Sequence, residues 1–175
     1  MARVTLLDDQ TNPELADLIG TLRAGRRGNL INVYRLLLHS PALAESWFEH
    51  SNAVRWKTNL EGRLRELVIV RIASLAGVDY IVNQHVPGLT TPEGITAEEV
   101  AELPHWRMAT CFSDPERAAL AYADTMTRDI EVPDAVFNEL RYHFDERQIV
   151  ELTVLVGSYN MNTRVLKALE IDPQT

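Results

Sequence analysis

The chain has 175 residues, 46% hydrophobic and 24% charged, with a formal net charge of -8, which gives it length and apolar content for one cored domain without covalent staples. The acidic balance argues against a nucleic-acid partner, because holding phosphate needs a concentrated basic surface and the only basic cluster, Arg23 to Arg27, is short. Cys111 is the only cysteine, so neither an intrachain disulfide nor a thiolate metal site can form within one chain, and a reducing cytoplasm is expected.

The N-terminal stretch MARVTLLDDQ has no long apolar segment of the signal-peptide kind, and no apolar run reaches the ~18 residues of a membrane span. A soluble, cytoplasmic protein without membrane contact is expected. From the N-terminus onward, capping residues followed by proline mark helix starts at Asn12-Pro13, Ser40-Pro41 and Asp114-Pro115. Thr96 with Glu99 has capping-box spacing, and Asp145 with Gln148 resembles it. These signals predict helices over 13–24, 29–38, 41–55, 60–76, 79–86, 96–102, 115–128, 133–143 and 146–169. The run LVIVRI at 67–72 is β-branched enough to pass for a buried strand, but it lies inside a longer segment that reads as helix. The stretch PGLTTPEGI at 87–95, with two prolines and two glycines, is the clearest loop. The fold class expected is all-α, in one domain over 1–175, with 1–34 as an N-terminal helical extension.

Two helical segments share a spelling, LRELVIVRIASLAG from Leu64 and IVELTVLVGSYNMN from Ile149, each with a glutamate before a leucine in an apolar run. Duplication of a hairpin and chance explain this equally well. Of the two glutamates, Glu66 draws attention, because its near neighbours at helical spacing are mostly apolar and an isolated carboxylate there is costly to ionise. Two partners are open to it. Arg63, one turn earlier, would make a structural ion pair. His85 would make a site, if Gly77 ends one helix in a left-handed turn and Asp79 caps the next.

The segment ELVIVRIASLAGVDYIVNQH resembles the helical signature of the carboxymuconolactone decarboxylase and alkylhydroperoxidase D-like (AhpD-like) family. The likeness extends through GLTTPEGITAEEVAEL and ERQIVELTVLVGSYNMNTRVLKALEI, covering most of the chain from about residue 35. Its strongest part is the spacing of Glu66, Gly77 and His85. Redox members of that family carry Cys-X-X-Cys between the glutamate and histidine, at positions that align with Val78 and Ile81. Valine and isoleucine cannot attack a peroxide or resolve the product, and Cys111 lies far off.

The resemblance therefore implies an AhpD-like fold of packed helical hairpins, a homo-oligomer (dimer, trimer or hexamer), and acid–base chemistry on a small organic acid or lactone. In that reading, a lyase or isomerase, Glu66 and His85 are the catalytic pair. Tyr80 and Asn83 are candidate donors to a developing enolate, and Arg71 is a candidate holder of a substrate carboxylate. Trp106, with Trp47, Trp56 and His105, is a candidate wall of the substrate site. Packing explains each of these too. His39, His50, His105 and His143 show no ligand spacing, and no phosphate loop or nucleophile elbow occurs, so no metal or cofactor is expected. The rival readings are a non-catalytic ligand-binding or scaffold protein of the same fold and, more weakly, a residual peroxidase using Cys111.

Overall fold

The computed structural model describes residues 2–172 and 174, and these form α-helices and short helical turns without a strand. In chain order the α-helices are α1 (Ala16–Ala24), α2 (Asn32–Leu37), α3 (Pro41–Trp56), α4 (Gly62–Ala76), α5 (Asp79–His85), α6 (Ala97–Glu102), α7 (Asp114–Arg128), α8 (Asp134–His143) and α9 (Glu146–Ala168). This is the all-α class expected from the sequence. Among the described residues, no helix is long and apolar enough to cross a membrane.

Helix α4 is the axis of the structure and packs against α5, α7 and α9. Every residue from Leu64 to Ala73 is buried, so α4 needs no polar face and its sequence shows no amphipathic period. That is why LVIVRI reads almost as well as a strand. The main core joins α4 to α9 and α3, and also takes the fully buried Ile19 and Leu22 of α1. A smaller cluster on the far side of α4 gathers Leu67, Val70, Ile95, Leu103, Trp106, Phe112 and Leu120.

The capping boxes at Thr96–Glu99 and Asp145–Gln148 both form. At α7 the cap is one residue earlier than expected: Ser113 donates its backbone N–H and hydroxyl to Glu116, and Asp114 is already helical. Ser40 and Asn12 precede their prolines without making a side-chain cap. The expected loop at 87–95 is instead tightly wound, as a π-type turn over Val86–Thr90 followed by a 3-10 turn over Thr91–Glu93. Prolines 87 and 92 sit in the first turn of each segment, where a missing N–H breaks no bond.

The turn between α4 and α5 sets the site. Gly77 takes φ 61°, ψ 44°, the left-handed conformation, while Val78 N–H returns to Ala73 O (2.9 Å) and Gly77 N–H to Ser74 O (3.1 Å). Lys167 of α9 donates to the Ala76 and Gly77 carbonyls, a cation at a helix C-terminus. Asp79 does not cap α5. It is the first helical residue, with Val78 in the cap position, so its carboxylate acts on the helix dipole instead. A methyl group at position 77 would lie 3.0 Å from Lys167 Nζ on a backbone that L-residues disfavour. Gly77→Ala is expected to cost about 1–2 kcal/mol, read as a lower urea midpoint with an unchanged slope.

Candidate active site

Glu66, in the middle of α4, has no solvent exposure, and His85 closes α5 with 6% of its surface exposed. The reversal at Gly77 brings them together, with His85 Nδ1 2.5 Å from Glu66 Oε2. The other oxygen, Oε1, faces two cations, accepting from Arg55 Nη2 at 3.2 Å and Arg65 Nε at 3.4 Å. Arg65 also donates to Glu93, and both guanidinium groups stack on the Trp56 ring. The expected structural partner, Arg63, points elsewhere and binds Glu99 and Glu116. Its place is taken by Arg55 and Arg65.

This arrangement decides the protonation pattern. Burial pushes the Glu66 carboxyl up, but the bond from His85 and the charges of Arg55 and Arg65 outweigh it and hold Glu66 well below the carboxylate range. Burial drives the His85 imidazole below its ordinary 6.5; Glu66 pulls it up, and Arg55 and Arg65 push it down. An ionised carboxylate can only accept, so Nδ1 carries the proton and donates. In neutral His85 the lone pair is therefore on Nε2, which meets no hydrogen-bond partner among the described residues.

The His85 ring lines a cavity of about 80 Å³, together with Arg26, Arg55, Tyr34, Tyr80 and Tyr159. Arg26, Arg55 and His85 also line an outer lobe of about 240 Å³, where Arg27 and Trp56 join them. Among the described residues, neither lobe carries a carboxylate on its wall. Tyr159 of α9 meets His85 edge to face at 5.8 Å, and its hydroxyl has no partner among the described residues. Burial pushes its phenol up to about 12, so it remains an O–H donor at neutral pH. Burial does the same to Tyr80, whose hydroxyl accepts from Val33 N–H at 3.3 Å.

Of the other residues singled out in the sequence, Tyr80 and Trp47 line the cavity and Trp56 lines its outer lobe. Arg71 does not. It is buried on the opposite flank of α4 with both guanidinium arms on Asp124, at 2.6 and 2.9 Å, and a third bond to Leu103 O. Trp106 belongs to that same cluster and donates Nε1–H to Asp124. Asn83 is exposed and faces a separate depression shared with Arg3 and Lys167. His105 is exposed, away from the cavity. All four thus lie outside the His85 cavity: Arg71 and Asn83 are on flanks of α4 and α5 turned away from it, which sequence spacing does not distinguish, and His105 and Trp106 are in the turn that follows α6.

Val78 and Ile81 are both buried, and Ile81 lines the cavity with an apolar surface. Cys111 is exposed and outside the cavity. Among the described residues, no group of three or more His, Cys, Asp or Glu side chains is placed to hold a metal ion.

Comparison with known proteins agrees with this geometry. A family model described as the carboxymuconolactone decarboxylase family matches residues 41–125. The uncharacterized protein YnjA of Escherichia coli is 31% identical over 121 residues, covering 69% of this chain and 66% of that protein, just under two thirds of its length. A crystal structure of a protein of unknown function from Agrobacterium tumefaciens superposes with a TM-score of 0.74 at 26% identity, over 83% of this chain and 97% of the other. The alkylhydroperoxidase AhpD core of an uncharacterized peroxidase-related protein from Ralstonia eutropha JMP134 superposes at 0.83 with 18% identity, over 98% and 92%. That last likeness is one of fold.

Proposed function

Because the chain belongs to the carboxymuconolactone decarboxylase and AhpD-like family, and has Val78 and Ile81 where redox members have thiols, we propose that it is a cofactor-free lyase or isomerase. Its substrate class is a small organic acid or lactone, and its chemistry is proton transfer by His85 oriented by Glu66. The observation that carries this reading is the buried Nδ1–H bond to an ionised Glu66, which leaves a basic Nε2 on the cavity side.

In an isomerisation, Nε2 removes a proton from the carbon between a carbonyl and a carbon–carbon double bond, and the electron pair of that C–H bond is drawn toward the carbonyl oxygen to give a dienolate. The Tyr159 O–H stabilises that oxyanion. The imidazolium returns its proton to a different carbon, restoring the carbonyl. In a decarboxylation, Nε2 first takes the proton of the substrate's carboxyl group, the electrons of the breaking C–C bond flow to the same oxygen as carbon dioxide leaves, and the imidazolium returns that proton to the enolate carbon. Charge on the imidazolium is balanced by Glu66 throughout.

His85→Ala tests the reading with a panel of lactones and β-keto acids. The expected result is loss of turnover at unchanged helicity and assembly state. The acid limb of the wild-type rate profile is expected below pH 6.5, because the base works unprotonated and is lost as pH falls through its lowered pKa. Full turnover by the alanine variant would overturn the reading, and binding without turnover by the wild type would favour the scaffold alternative. Self-association belongs to the same proposal. Val150, Val154 and Met161 are exposed along one face of α9, and a monomeric mass in sedimentation would remove that part.

A further inference from the structure

The two lobes of the cavity differ in what encloses them. Tyr34, Tyr80, Ile81, Tyr159 and Leu166 line the inner lobe and not the outer one, and all are buried. Gly25, Arg27, Asn29, Trp56 and Gly88 line the outer lobe and not the inner one, and all are exposed. Arg26, Ile31, Arg55, Gln84 and His85 line both, so they form a collar between a closed end and an open one. Among the described residues, His85 Nε2 and the Tyr159 hydroxyl have no partner, and neither is sealed from open space, so both meet the cavity. A cavity of about 150 Å³ takes one benzene ring, and by that measure the inner lobe, about 80 Å³, holds about three non-hydrogen atoms. We propose that the inner lobe is a size-limited pocket for the reacting carbonyl, taking an open-chain end no larger than an acetyl group. Ile81 sets the limit, and the rest of the substrate lies in the outer lobe.

The size limit rests on the acid–base reading for which atom sits where. Tyr159 belongs to the inner lobe, so an oxygen held by its O–H lies there. A carbonyl carbon, its oxygen and one methyl group then fill the space. The next carbon falls at the collar beside Nε2, where a proton is taken from it or from a carboxyl group that it carries. A carbonyl inside a ring brings the other ring atoms with it and exceeds the space, which ranks open-chain keto compounds above lactones. The outer lobe, about 240 Å³, has room for a ring or a longer chain. Ile81 closes the inner lobe from α5, one turn before His85 and on the same face. Of the two positions where redox members carry thiols, it is the one on the cavity wall, since Val78 lines neither lobe. Isoleucine there removes reactivity and also takes up room, and its stiff branched side chain makes the limit a fixed one.

Two isomeric ketones test the limit without turnover. 2-Heptanone ends in an acetyl group, whereas 4-heptanone has the same atoms with a propyl group on each side of its carbonyl. Each is titrated into the full chain, and its Kd is read from the His85 ring signals by NMR. 2-Heptanone is expected to bind about 10-fold more tightly, because seating the 4-heptanone carbonyl on Tyr159 brings two further methylenes that the inner lobe does not hold. Ile81→Ala is expected to bring the two affinities within about 2-fold of each other. Ile81→Val, which takes a single methylene from the core, is expected to close part of the gap with the fold kept. Equal affinities in the wild type, no saturable binding of 2-heptanone, or an unchanged ratio in the folded Ile81 variants would each overturn the limit. A protein that prefers 2-heptanone and turns nothing over would sink the catalytic reading and leave the limit standing. Turnover of lactones that is lost in His85→Ala would do the reverse.

Discussion

Glu66→Gln is expected to lower turnover by about 10²–10⁴-fold, the range over which a positioned acid–base group contributes, while the helical fold is retained. Ionised Glu66 only accepts, so it allows a single neutral tautomer of His85, the one with Nδ1–H and a free Nε2. A glutamine amide presents both an acceptor and a donor, and its donor end would put the lone pair on Nδ1, facing away from the cavity. The charge is lost as well. Burial and the cations Arg55 and Arg65 already press the His85 pKa down, and Glu66 is what opposes them. Without it the imidazole falls further below 6.5, so the acid limb of any residual activity moves to lower pH and the base is weaker wherever it is free. An unchanged rate with an unchanged acid limb would contradict this.

The second large effect is on stability. Arg71→Ala is expected to cost about 3–5 kcal/mol, the penalty for stranding one member of a buried ion pair. Asp124, 2% exposed, accepts from both arms of Arg71, from Trp106 Nε1 and from Arg107, so removing Arg71 leaves a buried carboxylate short of its main counter-charge. Since folded domains have a margin of only about 5–15 kcal/mol, urea unfolding resolves the loss clearly. Burial pushes the Asp124 carboxyl up, and its bonds and charge contact with Arg71 override that and hold it below 3.8. The sign follows: the contribution is complete above the unfolded value and is lost as pH falls through the lowered one. Activity per folded molecule is expected to be unaffected, which separates Arg71 from the residues of the cavity. A stable but inactive Arg71→Ala would restore it to the site.

Helix positions were legible because their signals are local. Prolines at first turns, capping boxes and the Gly77 reversal act within a few residues, and the observed helices start and stop within a few residues of the expected ones. The contact between Glu66 and His85 was legible for a related reason. One turn residue joins their helices, and an apolar stretch that contains a single carboxylate raises the question of its partner. The arginine- and tyrosine-lined wall of the cavity was not legible. Arg55 lies on α3, Arg26 precedes α2 and Tyr159 lies on α9, and only packing over long separations brings them to His85. The short basic cluster at 23–27 was the one available signal. In sequence it reads only as a short basic patch, although Arg26 and Arg27 line the His85 cavity or its outer lobe. Arg71 misled in the opposite direction, since an arginine in an apolar helix reads the same whether it meets a substrate or Asp124.

The most direct test of the Glu66–His85 base is the ring nitrogen spectrum of His85 by long-range ¹⁵N–¹H NMR across pH. A proton on Nδ1, an unprotonated Nε2 at neutral pH and a titration midpoint below 6.5 are expected, with the midpoint lower still in Glu66→Gln. A proton resident on Nε2 at neutral pH, or a midpoint at or above 6.5 that Glu66→Gln leaves in place, would contradict an oriented base and leave His85 as a packing residue.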